Sequence, residues 1–422
     1  MHMTLIQTEA MAGPWLSVRF SAISLRSEQR QHGVRVFQAY FEKDVFHDVP
    51  DAQFQLSFAG TLIGIMVNIA GPFFQILSAR FDIRLIIALG VIVMVLGLEL
   101  AAFTTQIWHL YLTQGVMFGI GAAFLYVTAV SVPPQWFNRR RGLGLGIVTS
   151  GSGVGGVVLP FIISSLTNRV GIAWAYRILG FIYLGMNAIT CILVKEKYPR
   201  HKKVKAADDG EEQPAVTPPK LNEIFDFSIL KDKIFLWWVI ASVVATMGCF
   251  TPFFFLPSYA SYHGLSSDDG TAFSAVLAGS NCLGRISAGY IGDRIGRLNT
   301  LILASFLSAI AAFGIWTVAT DYNTIMAFAV VYGAFSTAYY TLVSPITATI
   351  VGIEKFPTAL SVMMLSNTIS IVGPNIASAI ENALDAEPYF SYKMYTGACF
   401  IVGALLLLSL KIKMTHGVFT KI

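Results

Sequence analysis

Arg285 is a guanidinium set near the middle of an apolar run, Thr271 to Ile291. A charge at the centre of a bilayer costs at least about 2.5–3.5 kcal/mol on insertion scales, so a group placed there faces a cavity or a partner. What it offers is recognition: two parallel N–H donors that match a carboxylate. Glu99 is the acid placed inside an apolar run of the first half of the chain. Three roles are open to it: pairing with Arg285, carrying a proton, or a structural bond near the interface.

Other chemistries find no support. His109, His201 and His263 are scattered, and there is no nucleophile elbow, metal-ligand spacing or carboxylate pair within one apolar run. We expect no enzyme activity, no metal and no cofactor. Cys191, Cys249, Cys282 and Cys399 all fall in apolar runs without paired spacing and read as small lipid- or core-facing residues, with no disulfide framework or metal site. Gly151-Ser-Gly153-Val-Gly155-Gly156 fits a dinucleotide-binding pattern by letter, but no strand precedes it. Within an apolar helix, Gly142 with Gly146 and Gly151 with Gly155 read instead as small residues that admit a close helix neighbour.

The elements that must position these groups follow from composition. The chain has 422 residues, 55% hydrophobic and only 13% charged, against about 25% charge in soluble domains. Its net charge of +5 is spread between apolar runs, whereas nucleic-acid binding needs basic residues gathered on one polar face, so we expect no nucleic-acid partner. A helix crossing about 30 Å of hydrocarbon needs about 20 apolar residues. Runs of that kind lie near 55–79, 85–104, 107–132, 143–166, 172–194, 234–259, 271–291, 300–319, 324–351, 358–380 and 394–410. In lipid each must be helical, because unpaired backbone groups are prohibitive there. The expected fold is therefore an all-α polytopic membrane protein with eleven spans.

Most lysines and arginines fall on one side of these spans: Arg80 and Arg84, Arg139 to Arg141, the stretch from Lys195 to Lys233, Arg294 and Arg297, Lys355, and the C-terminal lysines. The positive-inside bias makes that side cytoplasmic. Lys195 to Lys233 mixes basic, acidic and proline-rich segments that cannot bury a core. It divides the chain into an atypical N-terminal segment 1–35, a helical bundle 36–194, a cytoplasmic linker 195–233, a second bundle 234–411 and a tail 412–422.

Between two spans of the second bundle stands Gly289-Tyr-Ile-Gly-Asp293-Arg294-Ile-Gly296-Arg297, and the first bundle carries a worn copy, Ser78-Ala-Arg80-Phe-Asp82-Ile-Arg84. Two copies in corresponding places signal internal duplication, hence two pseudo-symmetric bundles. Asp293 at a helix end can accept hydrogen bonds from the amides of a neighbouring helix N-terminus, while Arg294 and Arg297 sit at headgroup level. Such a group is a latch between bundles, and also a topology anchor. In the worn copy Ala79 replaces the aspartate.

The glycine, aspartate and arginine pattern resembles the loop motif of the major facilitator superfamily, and the chain as a whole resembles that superfamily's monocarboxylate porter group, its fungal members in particular. The resemblance is carried by Trp136, Phe137 and the triplet Arg139, Arg140 and Arg141 followed by spaced glycines, by Thr105 to Gly115, by Ala173-Trp-Ala-Tyr-Arg177, by Phe225 to Leu230 and by Leu283-Gly-Arg285. It implies a substrate-contacting role for Arg285. It also implies that Asn281 stands where animal relatives have an aspartate for proton coupling, and that a first helix should precede Val36, where we find no replacement for it.

The leading expectation is a secondary active transporter, working by alternating access, for a small organic acid or acidic metabolite. Efflux of a fungal secondary metabolite at the plasma membrane fits the absence of the proton-coupling aspartate. Proton-linked uptake of a monocarboxylate is the alternative, and a non-transporting membrane sensor is a third reading, tied to absence of the first helix.

Overall fold

A computed structural model describes residue 41 and residues 52–132, 141–194, 227–384 and 387–415. Among these residues all regular structure is helical. In the first half α1 is Ala52–Arg80, α2 Ile83–Ala101, α3 Ile107–Ser131, α4 Arg141–Val170 and α5 Ile172–Leu193. In the second, α6 is Lys233–Met247, α7 Thr251–Tyr262, α8 Ser267–Ile295, α9 Arg297–Trp316, α10 Tyr322–Ser336, α11 Ala338–Ile371, α12 Gly373–Ala383 and α13 Phe390–Thr415.

Joined end to end where they continue one another, these helices give ten stretches both long and apolar enough to cross a bilayer. The eleventh expected run lies in α8, a helix of 29 residues that is long enough but falls short of the others in apolarity. The physical reason is its cargo: Asp268, Asp269, Asn281, Arg285, Asp293 and Arg294 all ride on it. Residues 1–35, where the first family helix was sought, and 195–226 of the linker lie outside the described residues.

Local sequence sets the ends of these helices. The Asp82 side chain accepts from Arg84 N at 2.8 Å and starts α2, and a Ser266–Asp269 capping box starts α8. Gly296, at φ 103°, ends α8 and turns the chain into α9 in a conformation that side chains with a Cβ rarely adopt. Three spans of the second half are interrupted in mid-course, one of them at Val372 between α11 and α12. Another breaks at Gly248 to Phe250, between α6 and α7, with Pro252 in the first turn after the break; the third breaks at Thr337, between α10 and α11. A further break at Gly352, with φ 78°, divides α11 where the sequence places a loop between spans.

Each half buries its own core. One cluster, with Tyr176, Phe118 and Leu98 at its centre, lies within residues 41–194, and two more, around Trp238 and around Trp316, lie within 235–410. Phe74, Ile86 and Val127 of the first half meet Met364 of the second. On the perimeter Ile192, Leu283 and Phe161 stand exposed, apolar side chains that suit lipid rather than water.

Candidate functional site

The two halves meet along α4 and α8, and the closeness of that contact depends on glycine. A Cβ on Gly142 would fall 2.6 Å from the Gly289 carbonyl, one on Gly146 2.6 Å from the Arg285 carbonyl, and one on Gly153 2.6 Å from the Ala278 carbonyl. All three distances are shorter than real Cβ atoms tolerate. The small-residue expectation for this helix thus finds its contacts at Gly142, Gly146 and Gly153. A second seam joins α1 to α11, where Gly71 faces Met364 and Asn367 donates to Asn68 Oδ1 at 3.4 Å.

Arg285 lies in the first seam and is 7% exposed. Its Nη1 donates to the Thr149 carbonyl of α4 at 2.8 Å, and its Nε to Thr337 Oγ1 at 3.4 Å. The Thr337 hydroxyl in turn donates to Asn281 Oδ1 at 2.9 Å. Asn281, itself buried, therefore reaches the arginine through Thr337. One guanidinium touches both halves, the helix break at Thr337 and, at 5.8 Å, the ring of Tyr340. Beside it Thr149 Oγ1 lies 3.0 Å from Thr341 Oγ1, a second polar tie across the seam.

The breaks at Gly248 to Phe250 and at Thr337 are drawn together. Tyr332 OH donates to the carbonyls of Gly248 and Cys249 at 3.3 and 3.0 Å, and the Cys249 thiol donates to Ser336 O at 3.3 Å. Discontinuous helices of this kind expose backbone and side-chain polar groups at mid-membrane, where solutes are bound. Phe250 and Tyr340, one from each break, stand with ring centroids 5.7 Å apart.

At the basic end of the seam Asp293 Oδ1 accepts from Gly142 N at 3.0 Å and Oδ2 from Leu143 N at 2.9 Å. These are amides of the first turn of α4, whose orphan N–H groups and helix dipole favour an anion. Arg297 holds the same carboxylate from the other side, with Nη2 3.2 Å from Oδ1. Gly289 makes room for the approach, since a Cβ there would fall 2.3 Å from the Gly142 carbonyl. Arg294 is exposed and lies over the Tyr290 ring at 4.6 Å. Arg141 begins α4, whereas Trp136, Phe137, Arg139 and Arg140 lie outside the described residues.

Glu99 belongs to a different place. It lies near the end of α2 remote from the basic side, and its Oε1, buried and without a hydrogen bond among the described residues, rests where a Cβ on Gly180 of α5 would come within 2.7 Å. The structure thus sets it between two helices of the first half and not beside the arginine in the seam. Sequence reading singled out Arg285, Asn281 and the Asp293 group, but it missed Thr149, Thr337, Tyr340 and Phe250. Their only local signals were the Gly248 to Pro252 punctuation and a threonine within an apolar run.

The family model described as Major Facilitator Superfamily matches residues 40–374 and 270–415. The chain belongs to the Major Facilitator Superfamily. Relatives of this superfamily include the agnestins efflux protein of Paecilomyces divaricatus, 29% identical over 92% of this chain and 84% of that one. The fujikurins efflux protein of Gibberella fujikuroi is 28% identical over 90% of this chain and 78% of its own. Among solved structures, the fucose:proton symporter of E. coli superposes with a TM-score of 0.68 at 14% identity, covering 94% of this chain and 98% of the symporter. A human organic anion transporter gives a TM-score of 0.65 at 14% identity, covering 93% and 97%. This chain is accordingly a multi-pass facilitator-fold transporter of small molecules, in keeping with the fold and the transport function expected from its sequence.

Proposed function

We propose that this transporter exports an organic acid or acidic metabolite across the plasma membrane by alternating access, with Arg285 as the anchor for the anionic group. Residues 36–194 and 234–411 are the two moving bundles and 195–233 is a cytoplasmic linker between them. Membership of the monocarboxylate porter group is part of the same reading. The observation that carries it is Arg285 itself: a buried guanidinium at the meeting point of both halves and a broken helix. A carboxylate is its natural partner because the guanidinium fork gives two parallel bonds. Relatives of 28–29% identity that carry the printed name of efflux proteins support the outward direction.

The latch at Asp293 belongs to the same cycle. With the carboxylate on the α4 N-terminus and the glycine seam closed, the basic end is sealed, and the solute meets the site from the opposite side. Breaking these contacts opens the basic end.

The test is solute flux in proteoliposomes, normalised to folded protein. Arg285→Lys keeps the charge and loses the planar fork, so flux of an anionic solute should fall at least tenfold while insertion stays normal. A well-folded Arg285→Ala variant with undiminished flux of organic anions would remove the anchor from this reading.

A further inference from the structure

The rings beside Arg285 differ in a way that packing alone does not require. Tyr332 and Phe253 pack together at the Gly248 break and Tyr339 packs on Trp238, and the three are 0%, 2% and 6% exposed. Phe250 and Tyr340 sit against them, with Phe250 to Phe253 at 6.2 Å and Tyr340 to Tyr339 at 5.3 Å, yet both keep part of their surface open. An aromatic residue whose only task is to plug a broken helix is driven to full burial, as Tyr332 and Phe253 are.

The placement of the open rings along the membrane is ordered. Counting at about 1.5 Å per helical residue, Arg285 lies about 15 Å from the basic end of α8, and Tyr340 about 18 Å from the Gly352 end of its span. Phe250 lies still farther from the basic end, beyond the whole of α6. A solute arriving from the side opposite the basic one therefore meets Phe250, then Tyr340, then the guanidinium.

We propose that the acid this site takes is aromatic: a flat ring system bearing one carboxylate, its anionic group on Arg285 and its ring against Tyr340 and Phe250. This rests on the reading of Arg285 as an anion anchor and narrows the substrate class. The guanidinium carbon lies 5.8 Å from the Tyr340 centroid and that ring 5.7 Å from Phe250, so a carboxylate held by Arg285 brings the ring that bears it within reach of both aromatic side chains. A small aliphatic acid reaches the arginine and leaves both rings uncovered. Ring pairs add about 0.5–1.5 kcal/mol each beyond buried area, which for two rings is a preference of about tenfold.

The test is equilibrium binding to the purified full-length protein in lipid nanodiscs, with 2-naphthoate and its saturated counterpart decahydronaphthalene-2-carboxylate as probes. Naphthoate should bind about tenfold more tightly. Phe250→Leu and Tyr340→Leu should each weaken naphthoate several-fold and leave the saturated acid within twofold, and Tyr340→Phe, which keeps the ring, should bind naphthoate like the native chain. Elution of each variant as native-like, monodisperse protein establishes that it is folded. Equal affinity for the two acids, both lost in Arg285→Ala, would overturn the aromatic preference and leave the anion anchor standing. Binding of neither acid would overturn the anchor as well.

Discussion

At the scale of single residues the division of labour is between Arg285 and Glu99. Arg285 is shared between halves, whereas Glu99 is lodged in the first half, with a buried carboxylate oxygen that lacks a hydrogen bond among the described residues. Glu99 is the acid that stands inside a span of the first bundle, and with Asn281 in place of a titratable partner it is the candidate to carry a proton. If protons drive the cycle, Glu99→Gln should abolish the pH dependence of flux and leave solute exchange intact; unchanged pH dependence in that variant clears Glu99 of the role. What the sequence revealed here was set by cost. A charge inside an apolar run is conspicuous because lipid penalises it, so Arg285 and Glu99 stood out. Their surroundings did not, because Thr149 is 136 positions away from Arg285 and threonine is unremarkable in a membrane helix. Whether Glu99 met Arg285 was likewise a question of tertiary packing, which no local pattern encodes.

At the scale of helices the glycines decide which contacts are possible and which of them can come apart. Gly289 and Gly284 lie on the same helix α8, but a Cβ at 289 would strike the Gly142 carbonyl across the seam, while one at 284 would strike the Ala334 carbonyl at 2.0 Å within the second half. Inserting a methyl group into a close contact costs about 1–3 kcal/mol, and where that cost lands differs between the two. Gly284→Ala should lower the yield and thermal stability of folded protein, since α8 must pack on α10 in every state. Gly289→Ala should leave stability nearly unchanged and bias the protein toward the form open at its basic end, read as faster labelling of a cysteine placed at Leu143. Equal loss of folded protein in both variants would show that the seam is as permanent as the core. The spans themselves were legible from apolar length, even α8, whose polar residues hold it below the others. The interruptions at Gly248 and Thr337 were not, because a membrane helix can tolerate or break at such residues according to its neighbours.

At the scale of the whole molecule the contacts across the two seams have a direction. On α4 and α8 they run from Gly142 and Asp293 at the basic end to Val157 and Gly279, and on α1 and α11 they continue as far as Gly64 and Ile371. Each seam thus extends about 24 Å from its basic end at 1.5 Å per residue. Near the other end α1 makes its contacts within its own half, where Tyr111 OH donates to Gln55 O at 3.0 Å and Leu62 packs on Gly115. A protein gripped at its basic end admits solute from the other, and in the orientation we propose from the positive-inside bias the gripped end is cytoplasmic. Both steps can be measured together in a background with Cys191, Cys249, Cys282 and Cys399 replaced by alanine. A cysteine at the exposed Arg294 should react with a membrane-impermeant maleimide only after cells are permeabilised, and labelling of intact cells would invert the orientation. A cysteine at Phe250 should react from outside in intact cells. Adding Asp293→Asn removes the charge from the α4 N-terminus, a contribution of about 0.5–2 kcal/mol, and should slow that outside reaction by about two- to thirtyfold as the population shifts toward the form open to the cytoplasm. An Asp293→Asn variant that labels at Phe250 as fast as its parent would mean that the carboxylate anchors topology without holding the halves together.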